Sequence, residues 1–267
     1  MYKRLFTFGC SYTSHLWPTW ADIIAYDQQI ESHNQALPGA GNVYIASSML
    51  ASDLKYKFTS TDLILVNWSS WQREDRVDSN GKWRLHGSIF NNKYFDKKFI
   101  KKYWNEYNDC KRNTDAIIGA NKMFNINYQS QLTDYEDESV SSATLVLAKY
   151  HEFKDIYWKN NTDFFDNYEH ILEAMPKKNF FDDSASTGNI HFNGNLTSDA
   201  HPDVLCHLSH AKTVYEELGM KLDERTINKY ENIQRCIIQD LENTSLGEHI
   251  NECWENTRNF FSNDKYM

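Results

Sequence analysis

The chain has 267 residues, 28 basic and 37 acidic, with a net charge of −9 and a mean hydropathy of −0.70. A chain of this size buries roughly 70–75% of its unfolded surface and needs no staples, and 15% aromatic content excludes low-complexity disorder. The negative balance disfavours generic nucleic-acid binding, which needs a cationic footprint, and no apolar run approaches the ~20 residues that span a bilayer.

In chain order, Leu5–Gly9 reads as a short apolar strand that ends at a glycine. Trp17, Trp20, Ala21 and Ile24 follow at helical spacing, with Pro18 suited to a first helical turn. Ser32–Leu37 is a weak strand leading into Pro38-Gly39-Ala40-Gly41-Asn42, and Val43, Ala46, Met49, Leu50 and Leu54 mark one face of a second helix. Asp62–Trp68 is a continuous apolar strand, suited to the centre of a parallel sheet covered on both faces. Strand and helix alternating in this way predict an α/β fold: a doubly wound, flavodoxin-like parallel sheet with helices on both faces.

Beyond Trp71 the pattern changes. Residues 72–92 are polar and turn-rich, and a basic aromatic helix is expected near Phe95–Tyr107. Its alternating Lys and aromatic residues fit a solvated basic face better than a single-strand binding site, given the overall charge. An apolar-periodic stretch covers Ala116–Phe124, and either Phe124–Gln129 or Ala143–Leu147 supplies the next strand. Asp134–Glu138 reads as an acidic loop and Lys177–Leu196 as irregular. Pro202–Leu218 is a helix stopped by Gly219; Leu222–Leu241 is another, and Ser245-Leu246-Gly247-Glu248 opens a last one with a capping-box pattern. The expected organisation is a main domain over 1–220, with an insertion over roughly 76–136, and a helical C-terminal extension over 221–267. The apolar stripes of that extension either fold back or pair two copies.

The five cysteines, at 10, 110, 206, 236 and 253, form no C-x-x-C pair, which argues against a disulfide framework and a zinc ribbon. The N-terminus has no apolar stretch long enough for a signal peptide, so a cytoplasmic setting is expected. His207 and His210 lie i, i+3 on a helix but lack acidic or Cys partners at a recognised spacing, so no metal and no cofactor are expected.

Three segments carry chemistry together. Gly9-Cys10-Ser11-Tyr12-Thr13 stands where a strand ends, so the Ser11 hydroxyl belongs to the carboxyl edge of the sheet, where open α/β folds place their sites. Gly39-Ala40-Gly41-Asn42 stands after the next strand, where glycines let backbone N–H groups approach an anion. Ser198-Asp199-Ala200-His201-Pro202-Asp203 supplies an imidazole and a carboxylate in one loop. Nucleophile, donor and base then converge as acyl transfer requires.

This order resembles the SGNH (GDSL-like) hydrolase superfamily. The resemblance implies a Ser/His/Asp acyl-enzyme mechanism on a carboxylic ester, with an O-acyl group on a carbohydrate as one substrate class. Gly9-Cys10-Ser11 matches the first block with Cys in place of Asp, which gives Ser11 the nucleophile's role. Gly41 matches the second block, with Gly39 as a rival, and supplies an oxyanion N–H beside that of Ser11. His201, followed by Pro202 and a helix, takes the base's role, and Asp199 orients it from two residues upstream where the family uses three. The third block departs: where the family has an oxyanion Asn, this chain reads Asn67-Trp68-Ser69-Ser70-Trp71-Gln72-Arg73. Ser69 is the replacement donor favoured here, with Ser70 and Gln72 as rivals. Trp68, Trp71 and Arg73 are candidate substrate contacts, the tryptophans as stacking platforms for a glycan. Two rival readings stay open. In one, Cys10 is the nucleophile; in the other, a non-catalytic glycan-binding or structural module keeps the fold.

Overall fold

The computed structural model describes residues 2–90, 93–104, 106–131, 180–182 and 201–243. Five strands form one parallel sheet: β1 (Arg4–Phe8), β2 (Glu31–Asn34), β3 (Asp62–Trp68), β6 (Tyr128–Gln131) and β7 (Phe180–Asp182), in the order β2-β1-β3-β6-β7. A separate antiparallel hairpin pairs β4 (Arg73–Val77) with β5 (Trp83–Ser88). The helices are α1 (Trp20–Gln28), α2 (Asn42–Tyr56), α3 (Lys97–Tyr103), α4 (Glu106–Met123), α5 (Val204–Glu217) and α6 (Glu224–Asn243). The α/β expectation holds. Successive strands flank β1 on opposite sides, so β1 and β3 border the switch point, and the crevice beyond their carboxyl ends is where such sheets bind ligands.

Period-two alternation in β1 and β3 divides the core in two. Leu5, Leu63 and Leu65 face α1, α5 and α6, where they meet Trp20, Ile24, Leu208, Val214, Tyr230 and Ile237. Phe6, Phe8, Ile64, Val66 and Trp68 face the other way, onto Ile45 and Met49 of α2 and Ile117 of α4. Each such side chain, fully removed from water, contributes about 1.5–3 kcal/mol.

Several boundaries differ from the sequence reading. The first helix starts at Trp20, capped by Thr19, whose N–H is taken by the Asp22 carboxylate at 2.7 Å. Trp17 and Pro18 therefore belong to the preceding loop. The stretch read as polar and turn-rich contains the β4–β5 hairpin, and the stretch read as irregular contains β7. The span set aside as an insertion contains α4, which packs on α2, and β6, which pairs with β3, so both belong to the main fold. The helix α6 is docked on α1 and α5, with Tyr230, Ile233 and Ile237 inside the common core. Its apolar stripe folds back onto its own chain. The candidate strand Ala143–Leu147, the segments Asp134–Glu138 and 183–196, and the helix from Ser245 lie outside the described residues. Among the described residues, no helix is long and apolar enough to cross a membrane.

Candidate active site

The chain leaves β1 through Gly9, where an added Cβ would fall 2.1 Å from Thr13 Oγ1 and 3.1 Å from the Asn67 carbonyl oxygen, so only glycine fits this turn. Cys10 turns inward and is wholly buried with Phe8 and Trp68, while its carbonyl accepts from the N–H groups of Thr13 and Ser14. Its side chain packs within that core cluster, which argues against the rival nucleophile reading. Ser11 opens the turn this creates. The Thr13 carbonyl then accepts from Thr19 Oγ1 at 2.9 Å and from Asn34 Nδ2 at 2.8 Å, which fixes the turn to α1 and to the end of β2.

His201 arrives from the far end of the sequence. Its Nε2 lies 2.8 Å from Ser11 Oγ across 190 positions. The segment carrying it is held on both sides. Trp17 Nε1 donates to the Pro202 carbonyl at 2.7 Å. Asp203 caps α5 by accepting from Cys206 N–H at 2.8 Å, and Gln234 of α6 grips the same corner: its Nε2 donates to Asp203 and its Oε1 accepts the Val204 N–H. Asp203 is thus committed to capping. Asp199 lies outside the described residues.

The other predicted residues divide. Ser69 stands one residue past β3 and is wholly buried, with no hydrogen-bond partner for its Oγ among the described residues. Its backbone is clamped by Asn42: Nδ2 donates to the Ser69 carbonyl at 2.9 Å, and Oδ1 accepts the Ser69 N–H at 2.7 Å. Gly41 requires a correction. Its N–H donates to Asp75 Oδ1 at 2.7 Å, while Asp75 Oδ2 takes the N–H of Tyr44 at 2.8 Å. An internal carboxylate therefore occupies the start of α2, and the Gly41 N–H is not open to an oxyanion. The rival Gly39 N–H has no acceptor among the described residues.

Trp68 is also corrected. It is 0% exposed, with its indole N–H donating to Gln129 Oε1 at 3.0 Å, so it fills the core and offers no ring face to a glycan. Trp71 is buried too, beneath Asn113, which donates to its carbonyl. Arg73 Nη1 donates to the Ala40 carbonyl at 3.3 Å, which ties β4 to the glycine loop. Trp83 edges against Tyr44 (centroids 5.5 Å apart) at a groove of about 260 Å³ on the outer face of α2, which Ser11, Ser69 and His201 do not line.

Next to Arg73 lies a dense charge network. Glu74 is buried between Arg112 Nη2 and Arg76 Nε, each 2.7 Å away. Burial pushes the Asp75 carboxyl up, opposed by its two N–H donors and Arg112. Burial also pushes the neighbouring Asp109 up to about 6.

His207 and His210 are core residues on α5, not surface ones. His210 packs edge-on against Trp20. Burial, then the proximity of His210, His15 and His201, holds His207 well below the usual imidazole range. Among the described residues, no group of three or more His, Cys, Asp or Glu is arranged to hold a metal ion. Sequence reasoning missed Asn42, Asp75 and His15. Asn42 was visible beside the glycines but had no obvious partner; Asp75 and His15 lie in stretches that read as ordinary polar loop.

No protein-family model matches the chain, and no curated protein matches it. Solved structures are similar to it at low identity. A protein assigned to the G-D-S-L lipolytic family, from Desulfitobacterium hafniense DCB-2, is 14% identical, with a TM-score of 0.38 over 81% of this chain and 99% of that one. LAE5, an alpha/beta hydrolase from the metagenome of Lake Arreo, Spain, is 11% identical, with a TM-score of 0.43 over 81% and 95%. The acetyl xylan esterase Est2A from the rumen bacterium Butyrivibrio proteoclasticus is 14% identical, with a TM-score of 0.38 over 82% and 65%.

Proposed function

We propose that the chain is a serine hydrolase that cleaves a carboxylic ester through an acyl-enzyme. The observation that carries this reading is the 2.8 Å contact between Ser11 Oγ and His201 Nε2 at the carboxyl edge of β1. It joins a nucleophile and a base at the switch point of a parallel sheet. In the first half-reaction, neutral His201 accepts the Ser11 proton through Nε2 as Oγ attacks the ester carbonyl carbon. The tetrahedral intermediate collapses, the bond to the leaving oxygen breaks, and His201 returns the proton to that oxygen. Water then repeats the sequence on the acyl group and frees Ser11.

The resemblance to the SGNH superfamily assigns Asp199 to orient the imidazole. The backbone N–H of Ser11 and the hydroxyl of Ser69 are the oxyanion donors in this scheme, with Gly39 replacing Gly41. Ser69 is included because its buried hydroxyl has no partner among the described residues, and such a group costs free energy unless something uses it. Small O-acyl groups are the first substrates to try, and acetylated xylo-oligosaccharides beside p-nitrophenyl acetate test the carbohydrate class. Ser11→Ala lowers turnover of p-nitrophenyl acetate by about 10³-fold or more. A fluorophosphonate labels the wild type and not the variant. Undiminished turnover in Ser11→Ala overturns the assignment.

A further inference from the structure

The nucleophile's own turn also reaches the base. The ring of His15 packs on that of His201, with centroids 4.3 Å apart and planes inclined at 35°. Behind it, His15 rests on Trp17, with centroids 4.1 Å apart and planes at 52°. Trp17 is itself fixed, since it is buried in the core and its indole N–H holds the Pro202 carbonyl. Tyr12 approaches the same imidazole at 5.5 Å. Residues 11–17 therefore touch His201–Pro202 through four side chains, one of them the attacking hydroxyl.

We propose that His15 is a positioning residue for the base: wedged between Trp17 and His201, its ring fixes the plane in which His201 presents Nε2 to Ser11. This rests on the serine-hydrolase reading above. The physical need is plain. A base must stay within hydrogen-bond reach of the proton it removes, and a misplacement of about 1 Å costs up to about 10²-fold in rate. A flat ring backed by a buried indole limits how the neighbouring imidazole can turn about χ1 and χ2.

The test uses the full chain. With p-nitrophenyl acetate, His15→Ala lowers kcat by about 10- to 100-fold and changes KM by less than about 2-fold, because substrate binding is not what the ring serves. His15→Phe, which keeps a flat ring of similar reach, restores kcat to within about 3-fold of wild type. Should His15→Ala not fold, His15→Gln carries the same expectation. Crystal structures supply a readout apart from activity. In His15→Ala the Ser11 Oγ–His201 Nε2 contact lengthens beyond hydrogen-bond range or the imidazole occupies more than one rotamer, and in His15→Phe it stays near 2.8 Å. Wild-type kcat with an unchanged contact in His15→Ala overturns the proposal, and so does a Phe variant as slow as Ala. If Ser11→Ala keeps full turnover, the serine reading falls, and the contact distance in the His15 crystals still decides whether the ring holds the base.

Discussion

The two sides of the crevice spend their polar groups in opposite ways. Around Ser11 and His201, the described partners are a hydroxyl, imidazoles and aromatic rings. Across β3, the loop and hairpin that follow hold two buried carboxylates, Glu74 and Asp75, met by Arg112, Arg76 and the start of α2. The charged side looks more like a catalytic centre in composition, yet Glu74 and Asp75 are tied to guanidinium and backbone N–H groups inside the protein. The quiet side brings the Ser11 hydroxyl and the His201 imidazole together. Charge density here marks where elements are fastened.

Three substitutions break or sharpen this contrast. The largest effect is expected at the fastening. Asp75→Ala leaves the N–H groups of Gly41 and Tyr44 without their acceptor and lowers stability by about 2–4 kcal/mol, read from the urea midpoint. If Asp75→Ala is as stable as wild type, the charged side is not structural and the contrast fails. Next comes Ser69→Ala, which lowers kcat by about 10- to 100-fold and leaves the urea midpoint within about 0.5 kcal/mol of wild type, because its Oγ bonds to nothing described. A loss of stability with unchanged kcat would move Ser69 to the fastening side.

The smallest effect is at Asp109. Burial lifts its carboxyl from 3.8 to about 6, so the folded chain holds this proton more tightly than the unfolded one. Stability therefore falls as pH rises from about 4 to about 6, and the deficit persists above that window. Asp109→Asn removes it. The variant is more stable than wild type by about 1 kcal/mol at pH 8 and equal to it at pH 4, as measured by urea unfolding at both values. A variant less stable at pH 8 would show that the pull of Arg112 outweighs the cost of burial.

What the sequence made legible was whatever depends on short range. β1 and β3 announce themselves by apolar runs, and the strand-end serine and the His-Pro before α5 are local patterns. Trp68 shows a signal that was present and passed over. Counting by two from Ile64 and Val66 places it on the face toward α2 and α4, inside the core. The hairpin was not legible. Glu74 and Asp75 are acidic residues that end up buried because of Arg112 and the first turn of α2, both more than thirty positions away. His15 is similar: a polar residue in a loop until the fold lays His201 across it. Partners from distant parts of the chain decide these cases, and nothing in the neighbouring residues records them.

The grip of Gln234 on Asp203 and Val204 has a consequence for synthesis on the ribosome. The imidazole that Ser11 pairs with is synthesised 190 residues after it, and the corner holding that imidazole is not braced until α6 has also left the exit tunnel. Until then a nascent chain holds the Ser11 hydroxyl without its imidazole partner.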